Sequence, residues 1–181
     1  YENGNTPAIL KALKKHKVPA TFFVVGHFIN ENEDLIKQMV KEGHNVGNHT
    51  FNHSQLTKLG FDEAVEEINT TNAWITNISG YTPEYIRPPF GSFTDELLSE
   101  TSMSVVMWNV DPLDWKYKNK DIVTDKILKN VKNGDIILMH DIFESSVDAA
   151  QTVIKELKKQ DYVFVTVDKM NSNKQIIRRD K

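Results

Sequence analysis

The segment Ala20-Thr-Phe-Phe-Val-Val-Gly26 is a continuous β-branched and aromatic run. A strand with one wet face alternates apolar and polar residues, so an unbroken run marks a strand buried on both faces, as in a helix-covered parallel sheet. The flanking sequence supplies the helices. Thr6-Pro7 reads as the N-cap and first-turn proline of a helix whose stripe, Ile9, Leu10 and Leu13, runs to about His16. Leu35, Ile36, Met39 and Val40 have helical spacing that stops at Gly43. The alternation continues with a strand over 45–48, a long helix from Asp62 to just before Gly80 and a strand over 84–87. A short helix from Thr94, a strand over 104–110, a helix over 121–134 and a strand over 135–140 follow, then a helix over 146–160 and a strand over 162–167. Six strands alternating with six helices predict a parallel α/β fold. No repeat, low-complexity tract or Pro/Gly-rich linker interrupts it, so residues 1–181 read as a single domain.

An open doubly wound sheet and a closed barrel both fit this order, and the polar residues separate them. His49 and His53, Arg87, Asp111 and Asp114, and His140 each fall at or just past the C-terminal end of a predicted strand. A β/α barrel gathers such ends on one face, whereas an open sheet spreads them along a row. Convergence of four strand ends favours the barrel.

Composition narrows the chemistry. The chain has 39% hydrophobic and 26% charged residues, enough for a packed core. Lys and Arg number 22 against 25 Asp and Glu, a net charge of −3 that lacks the basic surplus of a nucleic-acid binder. No apolar run approaches the roughly 18 residues of a membrane span. With no cysteine, disulfides, thiolate metal sites and cysteine nucleophiles are excluded, so any metal must be held by histidine and carboxylate.

His49-Thr-Phe-Asn-His53 sets two imidazoles four residues apart, on one side if the segment turns helically. Such a pair can clamp a cation, although six histidines produce this spacing by chance fairly often. Arg87-Pro-Pro-Phe-Gly91 uses two prolines to stiffen a turn that delivers a guanidinium able to orient a carboxylate. Asp111-Pro-Leu-Asp114-Trp115 brings two carboxylates and an indole, whose face suits the apolar side of a sugar ring. Ile137-Leu-Met-His140 ends an apolar strand in a histidine able to act as general acid or base. Each motif also has a purely structural explanation: surface histidines, a surface arginine, an Asp-Pro turn, a hydrogen-bonded core histidine.

In this order the four motifs resemble those of the polysaccharide deacetylases of carbohydrate esterase family four, the NodB-homology domain. The resemblance runs from Thr6 to about Val167 and is nearest to bacterial peptidoglycan N-acetylglucosamine deacetylases, with xylan and chitin deacetylases as neighbours. It implies a distorted (β/α) barrel of about seven strands, the first of which is missing from this sequence. It also implies one divalent metal, zinc by choice with cobalt, nickel or manganese as alternatives, on His49 and His53. Arg87 matches the arginine that orients an aspartate base, and the backbone near Phe90 helps hold the oxyanion. His140 matches the general acid, Asp114 the carboxylate that tunes it, and Trp115 and Leu138 line the groove and the acetyl pocket.

The expected activity is metal-dependent removal of N-acetyl groups from a cell-wall polysaccharide, outside the membrane of a bacterium. The alternatives are xylan or chitin deacetylation, O-acetyl ester hydrolysis, or sugar binding without catalysis. One family motif is not found: the sequence contains no Thr-Phe-Asp-Asp-Gly, the source of the general base and third metal ligand. Asp95, Asp111 and Asp141 lie in loops, but turns or neighbouring histidines account for Asp111 and Asp141. The expectation is that Tyr1 follows a cleavage or processing point and that an upstream fragment carrying Asp-Asp stays docked as a partner. Denaturing intact-mass spectrometry should then find a smaller companion peptide beside the 20.8 kDa species, and its reproducible absence from active material rejects that expectation.

Overall fold

The structure, a computed structural model, describes residues 4–170. In chain order the elements are α1 (Thr6–His16), β1 (Thr21–Val24), α2 (Glu33–Lys41), β2 (Asn45–Asn48), α3 (Phe61–Ser79) and β3 (Tyr85–Ile86). They continue with α4 (Asp95–Thr101), β4 (Ser104–Val105), α5 (Asp114–Tyr117), α6 (Lys120–Asn130), α7 (Glu144–Lys159) and α8 (Val167–Met170). Single 3-10 turns occupy Gly26–Phe28, Asn30–Asn32, Leu56–Lys58 and Pro89–Gly91. The chain divides into two compact units: Thr21–Met107 with 166–170, and 4–20 with Trp108–Val165.

The first unit is built on a parallel sheet of order β1-β2-β3-β4. β1 and β2 pair from Thr21↔Asn45 to Val24↔Asn48, β2 meets β3 at Asn48↔Ile86, and β3 pairs with β4 through Tyr85↔Ser104 and Ile86↔Val105. Parallel neighbours need crossovers, which α2, α3 and α4 provide. α3 sends Ala64, Ile68, Thr71 and Ile75 inward. It stops at Gly80, whose left-handed backbone (φ 70°) turns its N–H onto the Thr76 carbonyl at 2.8 Å. The fold class is thus α/β with a parallel sheet, as the alternation predicted.

In the second unit α6 and α7 pack together around Val110, Val123, Ile127, Ala149, Val153 and Leu157, all nearly inaccessible to solvent. α1 lies against α7, and the Lys158 ammonium donates to the last carbonyl of α1, at His16. The segment 135–140, expected to be a strand, makes one parallel bridge, Val110↔Ile137. The expected strand over 162–167 joins no ladder among the described residues. Tyr162 and Phe164 pack on the α6–α7 cluster while Val163 is 82% exposed, so the side chains alternate as in a strand without a paired backbone. β-branched and aromatic content reports an extended backbone; a ladder also needs a neighbour, which local sequence does not encode.

Several boundaries differ from expectation, among them β4, which ends at Val105 rather than at 110. Thr6 is the first residue of α1 rather than its cap; Asn5 precedes it, and the Thr6 hydroxyl donates to the Asp141 carboxylate. α6 ends at Asn130 instead of Gly134, because Val131 is already extended. The four-residue α5 was not anticipated; it begins at Asp114 after Leu113 turns left-handed (φ 57°).

Gly26 shows how tightly the first unit closes around the end of β1. A Cβ there would lie 2.5 Å from the Phe51 ring, 2.6 Å from the Thr71 hydroxyl and 3.0 Å from the Phe51 Cα. Because one of those atoms is backbone, Gly26→Ala is expected to lower stability by about 1–3 kcal/mol, read as a lower urea midpoint at unchanged m-value.

Candidate functional site

In the first unit the site grows from the end of β2. Asn48 is fully buried, and its side chain makes three hydrogen bonds: Nδ2 donates to the Ile68 carbonyl and to Asn72 Oδ1, each at 2.8 Å, while Oδ1 accepts the Thr50 N–H at 2.7 Å. The chain then bends through Thr50 (φ 63°) and His53 (φ 58°), both left-handed. The predicted helical turn is therefore absent. The two imidazoles are instead brought together by left-handed kinks, with ring centroids 4.8 Å apart and planes at 73°. His49 Nδ1 lies against the Arg87 carbonyl. A carbonyl only accepts, so Nδ1 carries the proton and the lone pair sits on Nε2.

Arg87 does more than present a guanidinium. Its N–H donates to the Asn48 carbonyl at 3.0 Å, Nε to the Val106 carbonyl at 3.1 Å and Nη2 to that of Met107 at 3.3 Å, with the guanidinium carbon 4.4 Å over the Phe23 ring. Burial brings its pKa down to about 10, which leaves it protonated at neutral pH. The prolines behind it do stiffen the turn: Pro88 is extended, Pro89 opens a 3-10 turn and Phe90 is forced left-handed (φ 59°). The Phe90 ring is 69% exposed and edges onto His53, 5.3 Å between centroids.

In the second unit Asp111 forms a side-chain turn, Oδ1 accepting the Leu113 N–H at 2.9 Å, which fits the turn reading of Asp-Pro. Leu113 then reverses the chain and buries Asp114 completely. Its carboxylate takes four donors: His140 Nδ1 (2.8 Å) and the Trp115 N–H (2.9 Å) on Oδ1, and the His140 N–H and Ser146 hydroxyl (both 2.7 Å) on Oδ2. Burial alone would raise this carboxyl; the bonds from His140 side chain and backbone and from Ser146 outweigh it and hold it below the ordinary aspartate range. Asp114 therefore stays anionic, fixes the proton on His140 Nδ1 and points Nε2 outward. Trp115 is 49% exposed beside it, and Leu138 is buried with its N–H on the Val110 carbonyl at 3.0 Å.

Each sequence-predicted residue thus has a defined place: His49, His53, Arg87 and Phe90 in one unit, Asp114, Trp115, Leu138 and His140 in the other. Sequence reasoning missed Asn48, Phe23 and Ser146. Only Asn48 carried a usable signal, a polar residue closing a buried strand. Ser146 is an unremarked serine in the first turn of α7, and nothing local ties it to Asp114.

The donor chemistry of the histidine pair suits a divalent transition metal, since imidazoles are borderline-soft nitrogen ligands and His49 already has its Nδ1 turned onto a carbonyl. Among the described residues no group of three ligating side chains is assembled. The pair fits as two ligands of a three-ligand set.

The first unit thus carries a histidine pair at the end of a parallel sheet strand, and the second a buried Asp–His couple. Residues 1–104 match the family model described as polysaccharide deacetylase, and the chain belongs to that family. It is 43% identical over 178 residues to the peptidoglycan-N-acetylmuramic acid deacetylase PdaC of Bacillus subtilis, covering 96% of this chain and 38% of PdaC. The solved structure of PdaC superposes with a TM-score of 0.90 at 44% identity, covering 92% of this chain and 82% of that one. The peptidoglycan-N-acetylglucosamine deacetylase PgdA of Listeria monocytogenes is 40% identical over 169 residues, 93% of this chain and 36% of PgdA. A family-four pseudoenzyme from Bacillus anthracis superposes with a TM-score of 0.87 at 33% identity, over 94% of this chain and 61% of that one. The chain spans a little over a third of the length of the first two relatives.

The carboxylate of Asp114 makes a pH prediction. Its folded pKa lies below the ordinary 3.8, so its stabilisation is complete above that value and is lost as pH falls through the lower folded value. Asp114→Asn keeps the shape but turns a donor toward donors, and should lose about 2–4 kcal/mol at pH 7. The gap between wild type and variant, measured by urea unfolding, should shrink below pH 3.8. A gap constant from pH 7 to pH 2 contradicts the assignment.

Proposed function

We propose that this chain contributes the deacetylating site of an enzyme that removes N-acetyl groups from cell-wall peptidoglycan, with N-acetylglucosamine as the sugar attacked. The carrying observation is the buried Asp114 with four donors and His140 fixed on it. Amide hydrolysis differs from ester hydrolysis in its leaving group: an amine departs only when protonated, so the site must hold a proton ready. Asp114 holds the His140 ring by Nδ1 and directs Nε2 outward, where it can deliver a proton as general acid. Trp115 offers an exposed indole face to a sugar ring, and Leu138 an apolar wall for the acetyl methyl.

His49 and His53 would hold the metal, zinc by preference, which when bound polarises the acyl oxygen and lowers the pKa of water. Arg87, buried and charged, orients a carboxylate base. The base and third ligand belong to the Asp-Asp motif that the sequence does not contain, so this reading requires a segment bearing it, as in an upstream fragment docked on the chain. Peptidoglycan as substrate is supported by relatives whose names assign them N-acetylmuramic acid or N-acetylglucosamine deacetylation. An enzyme acting on wall polymer works extracellularly or at the cell surface, where we place it. Similarity to a family pseudoenzyme supports one second reading, a sugar-binding protein without catalysis.

Acetate release from an N-acetylated glycan oligomer, by the chain supplied with zinc and with a segment bearing the Asp-Asp motif, tests the proposal; glycan binding without release under those conditions selects the second reading. Loss of His140 separates amide from ester chemistry. His140→Ala should cut kcat/KM on an acetamide by about 10²–10⁴, and distinctly less on an acetate ester of the same sugar. Equal losses on both substrates refute His140 as the acid.

A further inference from the structure

The loop carrying the histidine pair holds two non-glycine residues in left-handed conformations, Thr50 and His53. Each such residue costs about 1–3 kcal/mol, so the surroundings must over-determine the loop. Its anchors can be followed residue by residue. The His49 N–H reaches the Val24 carbonyl at 3.0 Å, and the Thr50 and Phe51 carbonyls accept the N–H groups of Gly26 (2.9 Å) and His27 (2.8 Å). These are backbone bonds, which persist whatever side chains surround them. The last anchor is of another kind. The Asn52 N–H donates to Glu67 Oε2 at 2.8 Å and Asn52 Nδ2 to Glu67 Oε1 at 2.6 Å.

Glu67 sits in the middle of α3, only 9% exposed, with both carboxylate oxygens turned onto one exposed residue. A buried carboxylate is costly unless donors satisfy it, and here Asn52, the residue immediately before His53, supplies a donor to each oxygen. Thr71 Oγ1 closes on the Glu67 carbonyl at 2.9 Å, which ties the same turn of α3 beneath the Gly26 contact.

We propose that Glu67 is a positioning residue for the histidine pair. Its carboxylate clamps Asn52 by main chain and side chain and thereby fixes where the His53 ring stands relative to His49. The inference rests on the reading of His49 and His53 as metal ligands. Glu67 acts through Asn52. Helix α3 serves as the rigid support, since Asn48 is bonded to the same helix at Ile68 and Asn72, so both ends of the loop are referred to one element.

The test is Co²⁺ titration of the 181-residue chain, followed by visible absorption, alongside thermal unfolding of each metal-free variant. Glu67→Ala should raise the Co²⁺ Kd by about 10–100-fold, the usual cost of removing a partner that orients a ligand. Glu67→Gln accepts the Asn52 N–H and, with the Asn52 amide flipped, donates to its Oδ1, so its Kd should stay within about threefold of wild type. A merely structural role lowers the melting temperature of Glu67→Ala and leaves the Kd at temperatures where the variant is folded unchanged; that result overturns the inference and leaves the metal reading standing. A wild-type chain that binds no Co²⁺ even with a peptide bearing the Asp-Asp motif added overturns both together. If Glu67→Ala does not fold, Asn52→Ala, at an exposed position, removes the side-chain bond alone and should weaken binding several-fold; an unchanged Kd there is equally decisive against the proposal.

Discussion

Thr50, His53, Phe90 and Leu113 all hold positive φ angles without being glycine. Isolated L-residues avoid that region because Cβ crowds the backbone, and each instance costs about 1–3 kcal/mol. The four lie in three of the four chemistry-bearing motifs, at the points where a strand end must turn sharply enough to present a side chain. Holding those turns accounts for much of what surrounds them. Asn48 spends its whole side chain on the first, the two prolines before Phe90 on the next, and the Asp111 side-chain turn on the last.

Electrostatics divides the labour in the same economical way. Arg87 is at once a structural and a functional group. Its main chain continues the sheet from Asn48, its carbonyl fixes the tautomer of His49, and its guanidinium satisfies the carbonyls at the end of β4. Replacing it with lysine would keep the charge and lose the planar fork that reaches two carbonyls at once. Asp114 shows the complementary case, a buried anion whose donors more than offset its desolvation. The carboxylate therefore stays anionic at neutral pH and keeps the His140 ring bonded through Nδ1.

What the sequence disclosed follows from the range of each interaction. Helices α2, α3, α4 and α7 were legible because their apolar spacing and stop signals are local, and the α/β class followed from the alternation. The histidine pair, Arg87 and the Asp114–His140 couple were legible as residue types at strand ends. Their geometry was not. The proximity of His49 and His53 looked like a helical turn but arises from left-handed kinks, which leave no periodic trace when glycine is not used. Ser146 and Glu67 were invisible for a different reason: they are polar residues on otherwise ordinary helices, and their partners lie 32 and 15 residues away. The segment over 162–165 shows the opposite limit, in which side-chain alternation was read correctly as extended chain but pairing could not be.

The two histidines of the pair are oriented by unlike means, and that difference has a physical consequence. His49 is fixed through its own ring, because a carbonyl accepts Nδ1–H and leaves one nitrogen for coordination. The His53 ring is edged by the exposed Phe90 and by His49, and its backbone stands in a strained region directly after Asn52. On the reading of the pair as metal ligands, a shift of residues 50–52 carries His53 with it, so metal affinity depends on what holds that stretch. A carboxylate on the rigid face of α3 is a stiffer support for that stretch than a solvent-facing loop contact, since its helix is fixed by the core residues Ala64, Ile68 and Ile75.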